Sequence, residues 1–123
     1  MTDQEDKARV LFVDDNPMMR RMLPLVLKGS GVDLLVSGNV ASAKQYIKPG
    51  ELARVITDGL GGAWRDIAAA AINAEIPVIL YSSDSDELAA ARLLDIELLH
   101  VQDKNRIDGP AIVKLFEDGI VVE

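Results

Sequence analysis

Side chains capable of joint chemistry recur at one kind of place in this chain, just after a short apolar run. Asp14 and Asp15 follow VLFV at 10–13, Asp58 follows VIT at 55–57, and Ser82 and Ser83 follow VILY at 78–81. Lys104 comes shortly after LLHV at 98–101. Carboxylates gathered at one point repel each other, and a hard divalent cation with oxygen ligands, Mg²⁺ or Mn²⁺, relieves that repulsion. Such an ion neutralises charge on a transferring phosphoryl group. One carboxylate can act as the nucleophile and form an acyl phosphate. A hydroxyl then donates to one phosphoryl oxygen, and a lysine pairs with another as a point charge. The set suits phosphoryl transfer onto an aspartate, provided the fold brings it together.

The elements that must do so are legible as five β-rich runs, at 10–13, 34–36, 55–57, 78–81 and 98–101. They lack polar alternation, as strands covered on both faces do. Helical spacing fills the gaps. Met19, Met22, Leu23, Val26 and Leu27 form one apolar stripe, with Asn16 as cap, Pro17 at the first position and Gly29 and Gly31 as stops. Pro24 lies inside that helix and predicts a distortion. A second helix is expected over 40–47, before Pro49 and Gly50. A third carries Trp64, Ile67, Ala71 and Ile72, and a fourth Leu88, Ala91 and Leu93 or Leu94. The last runs over 110–118, stopped by Gly119. Repeated β-α units with right-handed crossovers make a doubly wound parallel sheet with helices on both faces. Ligands of such sheets bind beyond the carboxyl ends of the strands, where all the residues named above fall.

Composition narrows the chemistry further. At 123 residues the chain has room for one domain, with 1–8 expected as a flexible tail and 9–123 as the domain. The net charge of −7 disfavours phosphate backbones, so no nucleic-acid partner is expected. With no cysteine and a single histidine, His100, there is no disulfide framework, thiol nucleophile or multi-histidine metal site. No signal peptide and no membrane span is evident, and a cytoplasmic location is expected.

The motifs VLFVDDNP at 10–17, VITDG at 55–59 and PVILYSS at 77–83, with the lysine after the fifth strand, resemble those of the receiver domains of two-component response regulators. The resemblance covers about residues 9–118. It implies a three-layer (βα)5, flavodoxin-like domain with strand order 2-1-3-4-5. It further implies Asp58 as phosphoacceptor, and Asp14, Asp15, Asp58 and the Leu60 backbone carbonyl as ligands of Mg²⁺. Ser82, with Ser83 beside it, takes the phosphate-binding switch position, and Lys104 that of the phosphate-pairing lysine. The implied partners are a sensor histidine kinase or a histidine phosphotransfer protein upstream and another protein downstream. The implied catalysis is confined to the protein's own phosphorylation and dephosphorylation. The gap of 24 from Asp58 to Ser82 is a few residues shorter than the family's, and three further places depart from its pattern. The loop after Asp58 reads Gly59-Leu60-Gly61-Gly62, Asn105 replaces a proline in a cis peptide, and Val101 stands where relatives carry an aromatic switch residue.

Plainer readings stand beside these. Gly61 and Gly62 make a tight turn, His100 is a packed or edge residue, Trp64 is core, Met18, Met19 and Met22 pack a helix, and Arg20 and Arg21 form a solvated face. The apolar 120–123 end is expected to pack on the body or join a homodimer. Two other functions compete with a phosphorylated receiver. One is a degenerate receiver that binds partners without phosphorylation. The other is a haloacid-dehalogenase-type phosphohydrolase, which would carry its nucleophile in an Asp-x-Asp motif after the first strand, whereas here Asp14-Asp15 is followed by Asn16.

Overall fold

The computed structural model describes residues 7–122. Of the expected tail, residues 1–6 lie outside the described residues, and Ala8 already belongs to the first strand. Along the chain run β1 (Ala8–Val13), α1 (Pro17–Val26), β2 (Val32–Ser37), α2 (Val40–Lys44), β3 (Arg54–Thr57), α3 (Trp64–Asn73), β4 (Val78–Ser82), α4 (Ser85–Leu93), β5 (Leu99–Asp103) and α5 (Gly109–Asp118). Single 3₁₀ turns at Leu60–Gly62 and Lys104–Arg106 follow β3 and β5. All strands pair in parallel, in the order β2-β1-β3-β4-β5. This is the flavodoxin-like order, whose switch point lies between β1 and β3.

The strands read as continuous apolar runs because both faces are covered. In β1, Leu11 and Val13 join Val55, Trp64, Ile67, Leu80 and Leu88 on the side of α2, α3 and α4. Val10 and Phe12 point the other way, toward Leu23, Ile79, Leu115 and Phe116 on the side of α1 and α5. There the Phe12 and Phe116 rings meet edge to face at 5.6 Å. Arg54 ties α5 down: its Nη1 donates to the Phe116 and Glu117 carbonyls at 2.6 and 3.0 Å, satisfying oxygens that the last helical turn leaves open.

Several expected details shift. α1 buries Leu23 and Leu27 and part of Met19, an i, i+4, i+8 row, whereas Met18, Met22 and Val26 are exposed. α1 packs toward the edge strand β2, so the sheet covers one row of side chains rather than a broad stripe. α1 stays continuous through Pro24. α2 stops at Lys44 rather than at 47, and its continuation tightens to i→i+3 bonds from Gln45, Tyr46 and Ile47. In α4 only Leu88 and Ala91 are buried; Leu93 and Leu94 face solvent because the helix ends there and Asp95 turns away at φ 49°. Trp64 is core, as expected, and His100 is an exposed residue of the edge strand. No helix among the described residues is long and apolar enough to cross a membrane.

Candidate functional site

The carboxyl ends of β1 and β3 adjoin because those strands pair, Val13 opposite Thr57. The next residues on each, Asp14 and Asp58, are thereby neighbours, and the Asp58 amide donates to the Val13 carbonyl at 2.8 Å. Asp15 completes the group: one carboxylate oxygen from each of the three lies within 4.8 Å of the others. Asp14 is almost wholly buried at 2% exposure, while Asp15 is exposed. The Asn16 amide donates to Asp14 Oδ1 at 2.9 Å and so fixes the carboxylate at the head of α1, where Asn16 itself caps.

One oxygen of this group is left over. Among the described residues Asp14 Oδ2 is buried without a hydrogen-bond partner, and Lys104 Nζ stands 3.8 Å away, too far for a hydrogen bond. Burial pushes the Asp14 carboxyl above the usual carboxylate range, and the neighbouring Asp58 and Asp15 charges push the same way. The Asn16 amide and Lys104 oppose them. Three carboxylates face one ammonium, an excess of two negative charges. An orphaned buried oxygen in an all-oxygen donor set with that excess fits a hard divalent cation.

Lys104 crosses from the end of β5 to place Nζ 2.7 Å from Asp58 Oδ1, with Nζ also 5.2 Å from the centre of the Tyr81 ring. The departure after this lysine has a local explanation. The Asp103 carboxylate accepts the Asn105 amide at 2.8 Å and starts the 3₁₀ turn, which needs a backbone N–H that proline lacks. No cis peptide occurs among the described residues.

The glycine-rich loop after Asp58 is a 3₁₀ turn rather than a phosphate cradle. Gly61 and Gly62 take φ of 62° and 99°, and Leu60 itself sits at φ 52°, a strained setting for a side chain with a Cβ. The Leu60 carbonyl accepts the Ala63 amide at 3.2 Å, which leaves it one lone pair. Leu60 also lines a small hollow together with Asp15, Gly38 and Asn39.

Ser82 is buried at the end of β4, and its hydroxyl is bonded to neither Asp14, Asp15 nor Asp58. It donates to Glu87 Oε1 at 2.9 Å and accepts the Asp84 amide at 3.0 Å. Ser83 is exposed in the loop between β4 and α4. Val101 is half-buried against the core on the α3–α4 side.

Three neighbours escape a sequence reading. Arg20 belongs to the pair expected to be solvated, yet it is half-buried and its Nη1 donates to the Asp14 carbonyl at 2.8 Å. Its guanidinium lies on Gly38, where a Cβ would stand 2.7 Å from Nη1. Tyr81 reads as one more apolar strand residue, and Glu87 as an ordinary acid in a first helical turn. The one hint of Glu87 is the glycine at 59, whose need for space no local pattern explains.

No protein-family model matches the chain, and no curated protein matches it in sequence. Solved structures do match in fold. A response regulator receiver protein from Sinorhizobium medicae superposes with a TM-score of 0.69 at 17% identity, over 91% of this chain and 93% of that one. A response regulator receiver protein from Pseudomonas putida does so with a TM-score of 0.65 at 26% identity, over 89% and 94%. A de novo designed Rossmann 2x3 fold protein reaches a TM-score of 0.73 at 15% identity, over 94% and 95%. The chain therefore has the fold of receiver domains. A designed protein shares that architecture, so the fold alone does not specify a function.

Proposed function

We propose that this chain is a receiver that accepts a phosphoryl group on Asp58 from a phosphohistidine of a sensor kinase or phosphotransfer protein, and signals by contact with another protein. One observation carries the reading. A lysine just after β5 sits 2.7 Å from a carboxylate just after β3 that shares a three-aspartate cluster with the two residues after β1.

In the proposed reaction an Asp58 oxygen attacks phosphorus. A P–O bond forms as the donor's P–N bond breaks, and the electron pair leaves on the imidazole. Asp14, Asp15 and Asp58, with the free lone pair of the Leu60 carbonyl, would hold the divalent cation, which supplies positive charge beside the phosphoryl oxygens. Lys104 shifts from the Asp58 carboxylate to a phosphoryl oxygen, and Ser82 donates to another. Arg20, bonded to the Asp14 carbonyl, fixes the loop that carries the acidic pair.

Incubation with Mg²⁺ and a small acyl-phosphate donor should add one phosphoryl mass to the native chain and none to Asp58→Asn. Absence of uptake from both an acyl phosphate and a phosphohistidine donor would overturn the reading. A second reading, a receiver fold that binds partners without phosphorylation, draws support from Val101 and from the engagement of Ser82 by Glu87. Under it, the cluster would bind Mg²⁺ only weakly.

A further inference from the structure

Ser82 has one proton to donate. Glu87 Oε1 takes it at 2.9 Å, while the Ser82 oxygen is occupied by the Asp84 amide. So long as that bond holds, Ser82 has nothing to offer an oxygen on Asp58. Glu87 is not needed to begin its own helix: Asp84 Oδ1 already accepts the Asp86 and Glu87 amides at 3.0 and 3.2 Å. The Glu87 side chain instead reaches across to Gly59, the residue after Asp58. A Cβ on residue 59 would coincide with the Glu87 carboxylate. Gly59 has φ −67° and ψ −28°, values that any residue adopts. The missing side chain therefore serves space, not backbone conformation, and Glu87 fills that space.

We propose that Glu87 is a positioning residue that restrains Ser82 in the unmodified protein and is displaced when Asp58 is phosphorylated. This rests on the function proposed above. A carboxylate lodged against Gly59 is a like charge beside the incoming phosphoryl group, and the two repel. Its departure frees the Ser82 proton for a phosphoryl oxygen. The exchange is a swap of hydrogen-bond acceptors: the proton stays on Ser82 Oγ and no covalent bond changes. Because Glu87 belongs to the first turn of α4, its release unties that turn from β4 and from the loop after β3. Phosphorylation would thereby reach α4 in a chain that has Val101 in place of an aromatic switch.

The test uses the full chain carrying Glu87→Ala or Glu87→Gln, each alone and combined with Ser82→Ala, all first verified as folded by circular dichroism. Two readouts are needed. With Mg²⁺ and a small acyl phosphate, Glu87→Ala should speed Asp58 phosphorylation by about two- to tenfold, the range that one net hydrogen bond commands. Glu87→Gln, which keeps an acceptor but loses the charge, should fall between it and the native chain. Gly59→Ala, which evicts the carboxylate from the opposite side, should reproduce the gain. The gain should vanish in the Ser82→Ala background; an equal gain there, or none in either background, overturns the proposal. Without any donor, the Asp84 amide should exchange its hydrogen faster in Glu87→Ala, because its acceptor Ser82 is no longer held. Unchanged exchange would overturn the restraint even if native Asp58 takes no phosphoryl group, a result that by itself would sink only the function proposed above.

Discussion

Lys104 Nζ lies 2.7 Å from Asp58 Oδ1, and both side chains are about three-quarters buried. This ion pair neutralises the carboxylate proposed as nucleophile, so the lysine must let go before it can serve the phosphoryl group. Its second neighbour, Asp14 Oδ2 at 3.8 Å, and the Tyr81 ring beneath it keep the ammonium over the cluster when it does.

Replacing that lysine should therefore do two things. Lys104→Met leaves the cluster without its cation and should lower stability in chelator by about 1–3 kcal/mol, between the values for exposed and buried pairs. It should also enlarge the stabilisation gained on adding Mg²⁺. Urea titrations in chelator and in Mg²⁺ measure both, and equal Mg²⁺ effects in the two proteins would contradict the assignment.

Asp14 is costly to keep charged, being buried with an oxygen that has no partner among the described residues. Asp14→Asn retains the oxygen that accepts the Asn16 amide and should stabilise the metal-free protein at neutral pH by about 1–3 kcal/mol. The same change should remove Mg²⁺-dependent stabilisation, which in the native chain reaches about 2.7 kcal/mol at a hundredfold excess over Kd. Thermal melts with and without Mg²⁺ would show the two effects crossing; a variant less stable in both conditions would count against them.

Burial holds the Tyr81 hydroxyl above the ordinary tyrosine value of about 10, with the Asp14 charge adding to the rise and Lys104 opposing it. A raised folded value means that the neutral hydroxyl stabilises the native state relative to its ionised form. The stabilisation is complete below the unfolded value and is lost as pH climbs from there through the folded value. In a Tyr46→Phe chain, where Tyr81 is the remaining tyrosine, ultraviolet titration should show ionisation on the alkaline side of the same chain in urea. Coincident curves would contradict the environment described for it.

Arg54 bonds the last carbonyls of α5 from the start of β3. Arg54→Ala should cost about 1.5–3 kcal/mol, as for hydrogen bonds from a charged donor. It should leave phosphorylation of Asp58 unchanged, since the guanidinium lies at the opposite end of β3 from the acidic cluster. A loss of phosphoryl uptake without loss of stability would reverse that expectation.

The architecture was legible because each signal was local. Buried strands announce themselves as apolar runs, and Asn16, Asp84 and Asp108 cap helices with their own side chains. The ends of the strands located the three aspartates and Lys104, and Ser82 at least in position. What sequence could not convey was the direction of side chains across the fold. Arg20 and Arg21 look alike in a row of letters, but helical rotation sends one over the Asp14 carbonyl and the other to solvent. Ser82 ends its strand as expected, and its hydroxyl is engaged by a glutamate that only packing brings near. The exposure of Met22, Val26 and Leu94 shows the same limit: periodicity names a face, while the width of the neighbouring layer decides how much of it is covered.

Gln102 of β5 is fully buried, and its side-chain amide exchanges two hydrogen bonds with the Val122 backbone, at 2.7 and 3.3 Å. Val122 also borders surface hollows shared with Arg92 of α4, so the segment crosses from the α5 layer past the outer margin of the sheet. Among the described residues β5 has a paired neighbour on one side only, and an open margin of that kind invites a strand from another molecule. A glutamine that imitates a piece of backbone thus holds the chain's own Val122 beside that margin, in the manner of a paired strand.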